Sequence, residues 1–249
     1  MAMPGAEVIE RAGLKAWPGI EVEWDGAWVR RAAGGYTQRA NSVQCLDPND
    51  DGNAAARIAA GRAWLEARGV TPTFRLTPLA GPRVVEALDA EEWSTVDASH
   101  LFAMELGSIE PDPRGETFDL FDQWFLAAQQ RLQGYTDDKL DKLKALLAAV
   151  EVPACGVVQY SADGAAVATS LMAVADGIVI TGNVVTDKTQ RRKGYAAAMM
   201  RTGLAWAHGA GARVAALNVA ADNAGGQALY RSLGYAHRYD YRYRVPKPA

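Results

Sequence analysis

The chain has 249 residues, enough for one large or two small domains that each bury a core. Its 49% apolar and 22% charged residues are those of an ordinary globular protein, and 26 basic against 29 acidic side chains leave a net charge of −3, so no strongly basic surface advertises nucleic acid or an anionic membrane as partner. Without a charged-then-apolar leader or an apolar run of membrane-spanning length, the sequence reads as cytoplasmic, and Cys45 and Cys155, lacking metal-type spacing, read as buried, inert thiols.

In chain order, Ile20 to Trp24 and Ala27 to Arg31 are predicted strands around an Asp25-Gly26 turn. Gly52 to Arg68 reads as a helix closed by Gly69, followed by a strand at Thr73 to Leu76, a short helix from Val84 to Leu88 and a strand at Leu101 to Met104. The proline-bearing stretch Gly107 to Gly115 is the linker candidate. Beyond it come a helix from Trp124 to Leu132 and a second one capped by Thr136 and carrying Leu140, Leu143, Leu146 and Leu147. A hairpin (Ala154 to Ser161, Ala166 to Ala175) has Asp163-Gly164 at its tip, and an apolar strand runs from Gly177 to Val185. A helix to about His208, a strand from Arg213 to Val219, a helix from Ala224 to Leu233 and a strand near Tyr239 to Val245 complete a mixed α/β pattern with helices on both faces of the sheet.

The segment Arg191-Arg192-Lys193-Gly194-Tyr195-Ala196 is the most informative. A cationic turn running into an Ala/Met-rich helix presents unpaired N–H groups and a partial positive charge, a cradle for a pyrophosphate. Gly194 lets backbone approach the ligand and Ala196 keeps the helix wall low. About thirty residues on lie Asp222-Asn223 and then Gln227-Ala228-Leu229-Tyr230-Arg231-Ser232-Leu233-Gly234-Tyr235. The two elements together resemble the cofactor signatures of the GCN5-related N-acetyltransferase (GNAT) family. That resemblance covers the last third of the chain. It implies main-chain contacts from Val184 and Val185 to a pantetheine arm, pyrophosphate binding at Arg191 to Ala196, Asn223 beside the coenzyme A arm, two helices over the acceptor pocket, and Tyr230 as general acid. Read from the residues alone, Asn223 is equally a helix N-cap and Tyr230 equally a packing tyrosine.

The family often carries a glutamate on the central strand, whereas Gly177 to Val185 holds no acid. Asp176, Asp187, His208 or a water relay stay open as general base. The resemblance thus implies an acetyl-CoA-dependent N-acetyltransferase acting directly on a small-molecule or peptide amine, as monomer or homodimer. A non-catalytic acyl-CoA-binding module is the alternative. Neither acceptor nor acyl length is legible, because acceptor pockets are built from variable loops.

The chain also contains one unit twice. At an offset of 142 residues (203 − 61), positions 41 to 69 match 183 to 211 at ten of 29 places without a gap, among them Gly52 with Gly194, Gly61 with Gly203 and Trp64 with Trp206. The pyrophosphate turn lines up with Asn49-Asp50-Asp51-Gly52-Asn53-Ala54, whose carboxylates would repel a pyrophosphate. The expected architecture is two tandem GNAT-like domains, each a mixed, largely antiparallel sheet flanked by helices: residues 1–107, degenerate and without a cofactor site, and 108–249, which bind acyl-CoA. The resemblance extends to bacterial tandem members of the family.

Overall fold

The computed structural model describes residues 3–247. Helix α1 (Ala6–Ala16) precedes β1 (Glu21–Asp25), β2 (Trp28–Ala32), β3 (Ser42–Cys45), α2 (Ala54–Glu66), β4 (Phe74–Leu76), α3 (Pro82–Ala90) and the long β5 (Ser94–Glu105). The second half runs β6 (Gly115–Phe118), α4 (Gln123–Gln133), α5 (Asp137–Leu147), β7 (Ala154–Tyr160), β8 (Ala166–Ala175), β9 (Ile178–Thr186), α6 (Tyr195–Gly209), β10 (Val214–Ala220), α7 (Ala224–Ser232) and β11 (Ala236–Val245).

Two of these elements escape the sequence reading. Helix α1 buries Ile9, Glu10, Ala12 and Ala16, a stripe of one large apolar residue, two alanines and a carboxylate that hydrophobic periodicity does not register. Strand β6 is four residues at the sheet edge and none of them is buried. The segment before it, expected as a linker, is tied down: Asp112 accepts from Gln159 Nε2 at 2.9 Å and pairs with Arg201 at 3.2 Å, while its own N–H donates to Thr202 Oγ1.

The strands form one mostly antiparallel 11-stranded sheet in the order β1-β2-β3-β4-β11-β5-β10-β9-β8-β7-β6. Each half contributes a parallel pair linked by a helix, β3 with β4 across α2 and β9 with β10 across α6. The strand that closes each half crosses to the other. After α3, β5 pairs with β10 of the second half; after α7, β11 returns to pair with β4 of the first. At the centre β5 and β11 lie antiparallel, from Ala103↔Ala236 to Ser94↔Val245. The two sheets expected from the duplication are therefore merged by reciprocal strand exchange.

Helices α6 and α7 cover one face of the second half, over Met172, Val179, Ala215 and Leu217. Helices α1, α4 and α5 cover the other, over Leu171, Ala173, Ile180 and Val158. In the first half α2 and α3 pack on Trp28, Val43 and Phe74. The duplicated glycines share one packing reason. A Cβ on Gly61 would meet Val43 Cγ2 at 2.9 Å, and one on Gly203 would meet Val157 Cγ2 at 3.1 Å, so both helices lie too close to the sheet for a side chain.

The junction is held by a buried ion pair. Glu10 of α1 faces Arg75 of β4, with side chains 5% and 3% exposed. Glu10 also accepts from Gln44 Nε2 of β3 and Tyr239 Oη of β11, each at 2.7 Å, and Arg75 donates to Asn218 of β10 at 3.2 Å. Burial by itself raises the Glu10 carboxyl, but the Arg75 charge and the three side-chain hydrogen bonds outweigh it and hold the group below the ordinary carboxylate range. Both cysteines are buried and unpaired, and burial pushes their thiols up, as inert thiols require.

Arg75→Met, which strands the Glu10 carboxylate, should cost about 3–5 kcal/mol in urea denaturation, whereas Glu10→Leu/Arg75→Met should recover most of it.

Candidate active site

The parallel pair β9 and β10 is hydrogen-bonded only from Val214↔Ile178 to Leu217↔Thr181. Beyond these residues β9 continues to Thr186 paired with β8 alone, and β10 continues to Ala220 paired with β5 alone. The strands part like a wedge, and the main-chain groups of 182–186 on the side facing β10 lack a ladder partner. The opening begins at an irregularity in the β8 pairing, where Asn183 takes a left-handed φ of 50°. Its carbonyl accepts from Gln129 and Gln133 of α4, at 3.3 and 3.2 Å, and its side-chain amide donates to Tyr36 Oη at 2.9 Å. Tyr36 in turn donates to Tyr135 Oη at 3.0 Å, so both halves pin the bend.

On the α6 and α7 side the wedge opens into a cavity of about 580 Å³. Of the expected cofactor residues, Val184, Val185, Arg191, Arg192, Gly194, Tyr195, Ala196 and Asn223 line it, and so does Tyr230. Lys193 does not: its ammonium turns back to Gln190 Oε1 at 2.9 Å. Gln133 and Gln190 line the cavity without having been foreseen.

Gly194 is the N-cap of α6 at φ 84°, a left-handed conformation that favours glycine, and no side chain caps this helix. By contrast Asp122, Thr136 and Asn223 cap α4, α5 and α7 with their side chains. The first turn of α6 thus offers free N–H groups between exposed guanidinium groups, which suits a multiply charged anion such as a pyrophosphate. Asn223 both lines the cavity and caps α7, accepting from Gly226 N at 2.9 Å. Gly226 makes room for that cap, since a Cβ there would lie 2.7 Å from Asn223 Nδ2.

Tyr230 is 6% exposed, packs edge-on to Tyr235 at 6.0 Å, and is pushed up to about 12 by burial. Its phenol therefore stays protonated throughout the neutral range. The candidate bases do not converge on it. Asp176 sits in the β8–β9 turn, at the opposite end of β9, paired with Lys15 at 2.8 Å. His208 lies thirteen residues along α6 from Tyr195, about 20 Å away. Asp187 is near the cavity but accepts from Thr189 N and Oγ1, and those hydrogen bonds hold it below the usual range.

The corresponding place in the first half is filled by its own carboxylates. Asp50 pairs with Arg57 of α2 at 2.8 Å and accepts from Ala27 N at 2.7 Å. Asp51 accepts from Arg83 N at the start of α3, where a Cβ on Gly81 would stand 2.6 Å from Asp51 Cβ. The left-handed N-cap of α2 is Asn53, at φ 54°, one residue past Gly52, the partner of Gly194 in the repeat.

A family model described as "Probable histone acetyltransferase Rv0428c C-terminal" matches residues 6–244. The Bacillus subtilis protein described as "Uncharacterized N-acetyltransferase YobR" is 23% identical over 254 residues, covering 96% of this chain and 98% of that protein. Among solved structures, a GCN5-related N-acetyltransferase from Kribbella flavida superimposes with a TM-score of 0.76 at 21% identity, over 100% of this chain and 98% of that one. A tandem GNAT protein from the clavulanic acid biosynthesis pathway superimposes with a TM-score of 0.63 at 12% identity, over 89% and 78%. No helix among the described residues is long and apolar enough to cross a membrane.

Asn223→Ala should cost about 1 kcal/mol of stability and speed amide exchange at Gly226, while Asn223→Asp should keep both near the parent protein.

Proposed function

The chain belongs to the GCN5-related N-acetyltransferase family, and from that premise we propose that it transfers an acetyl group from acetyl-CoA to an amine on a small molecule or peptide. Residues 108–249 would hold the donor, and residues 1–107, whose own cleft is filled by Asp50 and Asp51, would border the acceptor without binding a cofactor. One observation carries the reading: a single cavity brings together the uncapped first turn of α6, the unladdered edge at Val184 and Val185, and a buried tyrosine.

The cavity fits the group. Arg191, Arg192 and the N–H groups of Gly194, Tyr195 and Ala196 would hold the pyrophosphate, Asn223 would flank the arm, and the main chain of Val184 and Val185 would hydrogen-bond its amides. When bound, acetyl-CoA supplies the acyl group as a thioester, from which an amine nitrogen takes the acyl carbon while sulfur departs. Tyr230 Oη holds the proton that the departing sulfur accepts, and regains one from water. Buried at the cavity wall, its phenol is pushed up to about 12 and stays protonated at neutral pH. With no carboxylate on β9, the amine would shed its proton to water before attack.

A non-catalytic acyl-CoA-binding module is the second reading, and the acid-free strand β9 is what favours it.

Calorimetry with acetyl-CoA should give one equivalent per chain, lost in Arg191→Glu/Arg192→Glu. Two equivalents would overturn the division of labour, and no binding would overturn the acyltransferase. Tyr230→Phe should lower kcat about 10²-fold with the acetyl-CoA Kd unchanged, whereas the non-catalytic reading expects no turnover in either protein. A proton donor is lost above its own pKa. With Tyr230 near 12, kcat/KM should climb with pH as the acceptor amine deprotonates, then stay level to pH 10 instead of falling as it would with an ordinary phenol.

A further inference from the structure

On the other side of the sheet, beside the free end of β10, lies an open pocket of about 260 Å³. Its walls are the Thr37 to Arg39 segment of the first half, Asn218 and Ala220 at the free end of β10, and Tyr241 and Tyr243 of the exchanged strand β11. It lies on the α1 face, since Asn218 takes the hydrogen bond of Arg75, whose guanidinium covers the Tyr241 ring at 4.0 Å and pairs with Glu10 of α1. Arg39 reaches the point where the strands separate: a Cβ on Gly182, the first residue of β9 past the last pair, would stand 3.8 Å from Arg39 Nη2. Arg39 thus links this pocket, on the face opposite the proposed coenzyme, to the point where the two strands part.

Charge in this corner does not balance. Three guanidinium groups, Arg31, Arg39 and Arg75, line one small cavity with the carboxylate of Glu10, and only Arg75 pairs with it. Arg31, 2% exposed, donates only to the carbonyl oxygens of Trp17 and Arg39, and burial followed by the Arg75 charge pulls it below its ordinary value. Arg39 has no carboxylate within ion-pair distance among the described residues; its guanidinium lies over the Trp17 ring at 5.2 Å and faces the cavity half-buried. An unpaired guanidinium in a tyrosine-walled pocket is a fork for a planar, bidentate anion. Its main-chain oxygen is held by Arg31 from behind, which fixes the segment that carries it.

We propose that the acceptor is an amine that also bears a carboxylate, an amino-acid-like molecule whose carboxylate pairs with Arg39 while its amine enters the wedge at Gly182. The inference rests on the acyltransferase reading above and narrows its acceptor class. The first half thereby contributes the specificity-determining side chain, although its own cofactor cleft is closed.

The test measures thiol release from acetyl-CoA with matched pairs of acceptors, amino acids against their methyl esters and the corresponding decarboxylated amines. Acids should exceed esters in kcat/KM by tenfold or more, Arg39→Gln should remove that preference through KM, and Arg39→Lys should restore part of it. Equal use of acids and esters by the parent protein, or an Arg39→Gln loss that falls equally on both, would overturn the proposal. Should no amine be acetylated, binding of N-acetyl amino acids against their amides, read by saturation-transfer NMR on parent and Arg39→Gln proteins, decides it on the same terms. Acetyl-CoA calorimetry on the same samples separates the two failures. Lost donor binding sinks the acyltransferase, while intact donor binding without carboxylate preference sinks only the present inference.

Discussion

The exchange of β5 and β11 is the constraint on which the rest of the molecule depends. Either half, taken alone, would end on a parallel strand, β4 or β10, with one ladder edge bare. Unpaired strand edges are costly when buried and invite aggregation when exposed. Crossing the two last strands satisfies both edges at once and joins the halves in one continuous sheet. The Glu10 and Arg75 pair sits where α1, β3, β4, β10 and β11 meet, and every donor around Glu10 comes from a different element. Such a pair adds little net stability over apolar packing, but it tolerates only the arrangement in which all its partners are present.

Within this arrangement the two copies differ at the turn before the helix that links their parallel strands. In the second half the N-terminus of α6 is left without a side-chain cap and opens on a cavity. In the first, carboxylates occupy the same turn and are neutralised locally, Asp50 by Arg57 and the Ala27 amide, Asp51 by the start of α3. The difference is one of charge and packing at a few positions, while the helix-on-strand contact through Gly61 and Gly203 is kept in both. The first half also supplies Tyr36 and Arg39, which reach Asn183 and Gly182 where β9 leaves β10.

Much of the lining of the larger cavity is legible in the sequence because it is local. A left-handed glycine, a helix start and a strand end lie within a dozen residues, and their chemistry follows from spacing. Asn223 was legible as cap or contact and proves to cap α7 while lining the cavity. Lys193 stands outside the cavity lining, since whether its side chain faces the cavity or Gln190 is a matter of rotamer that spacing does not encode. Gln133, Tyr36 and Arg39 carry no signal, because the β9 residues they approach, Asn183 and Gly182, are 50 or more residues away in sequence.

By itself the sequence determined the order of most helices and strands, the internal repeat, the acidic turn of one copy, and the cationic turn of the other with its tyrosine. Those follow from backbone preference and short-range pattern. Only the tertiary structure decided that the closing strands change partners, that a glutamate in an unremarkable N-terminal helix anchors the junction, and that an arginine from the first half stands where β9 and β10 part. Each of these rests on pairings across about sixty to two hundred and thirty residues of chain, and no local propensity encodes which of two chemically similar edges a strand will join.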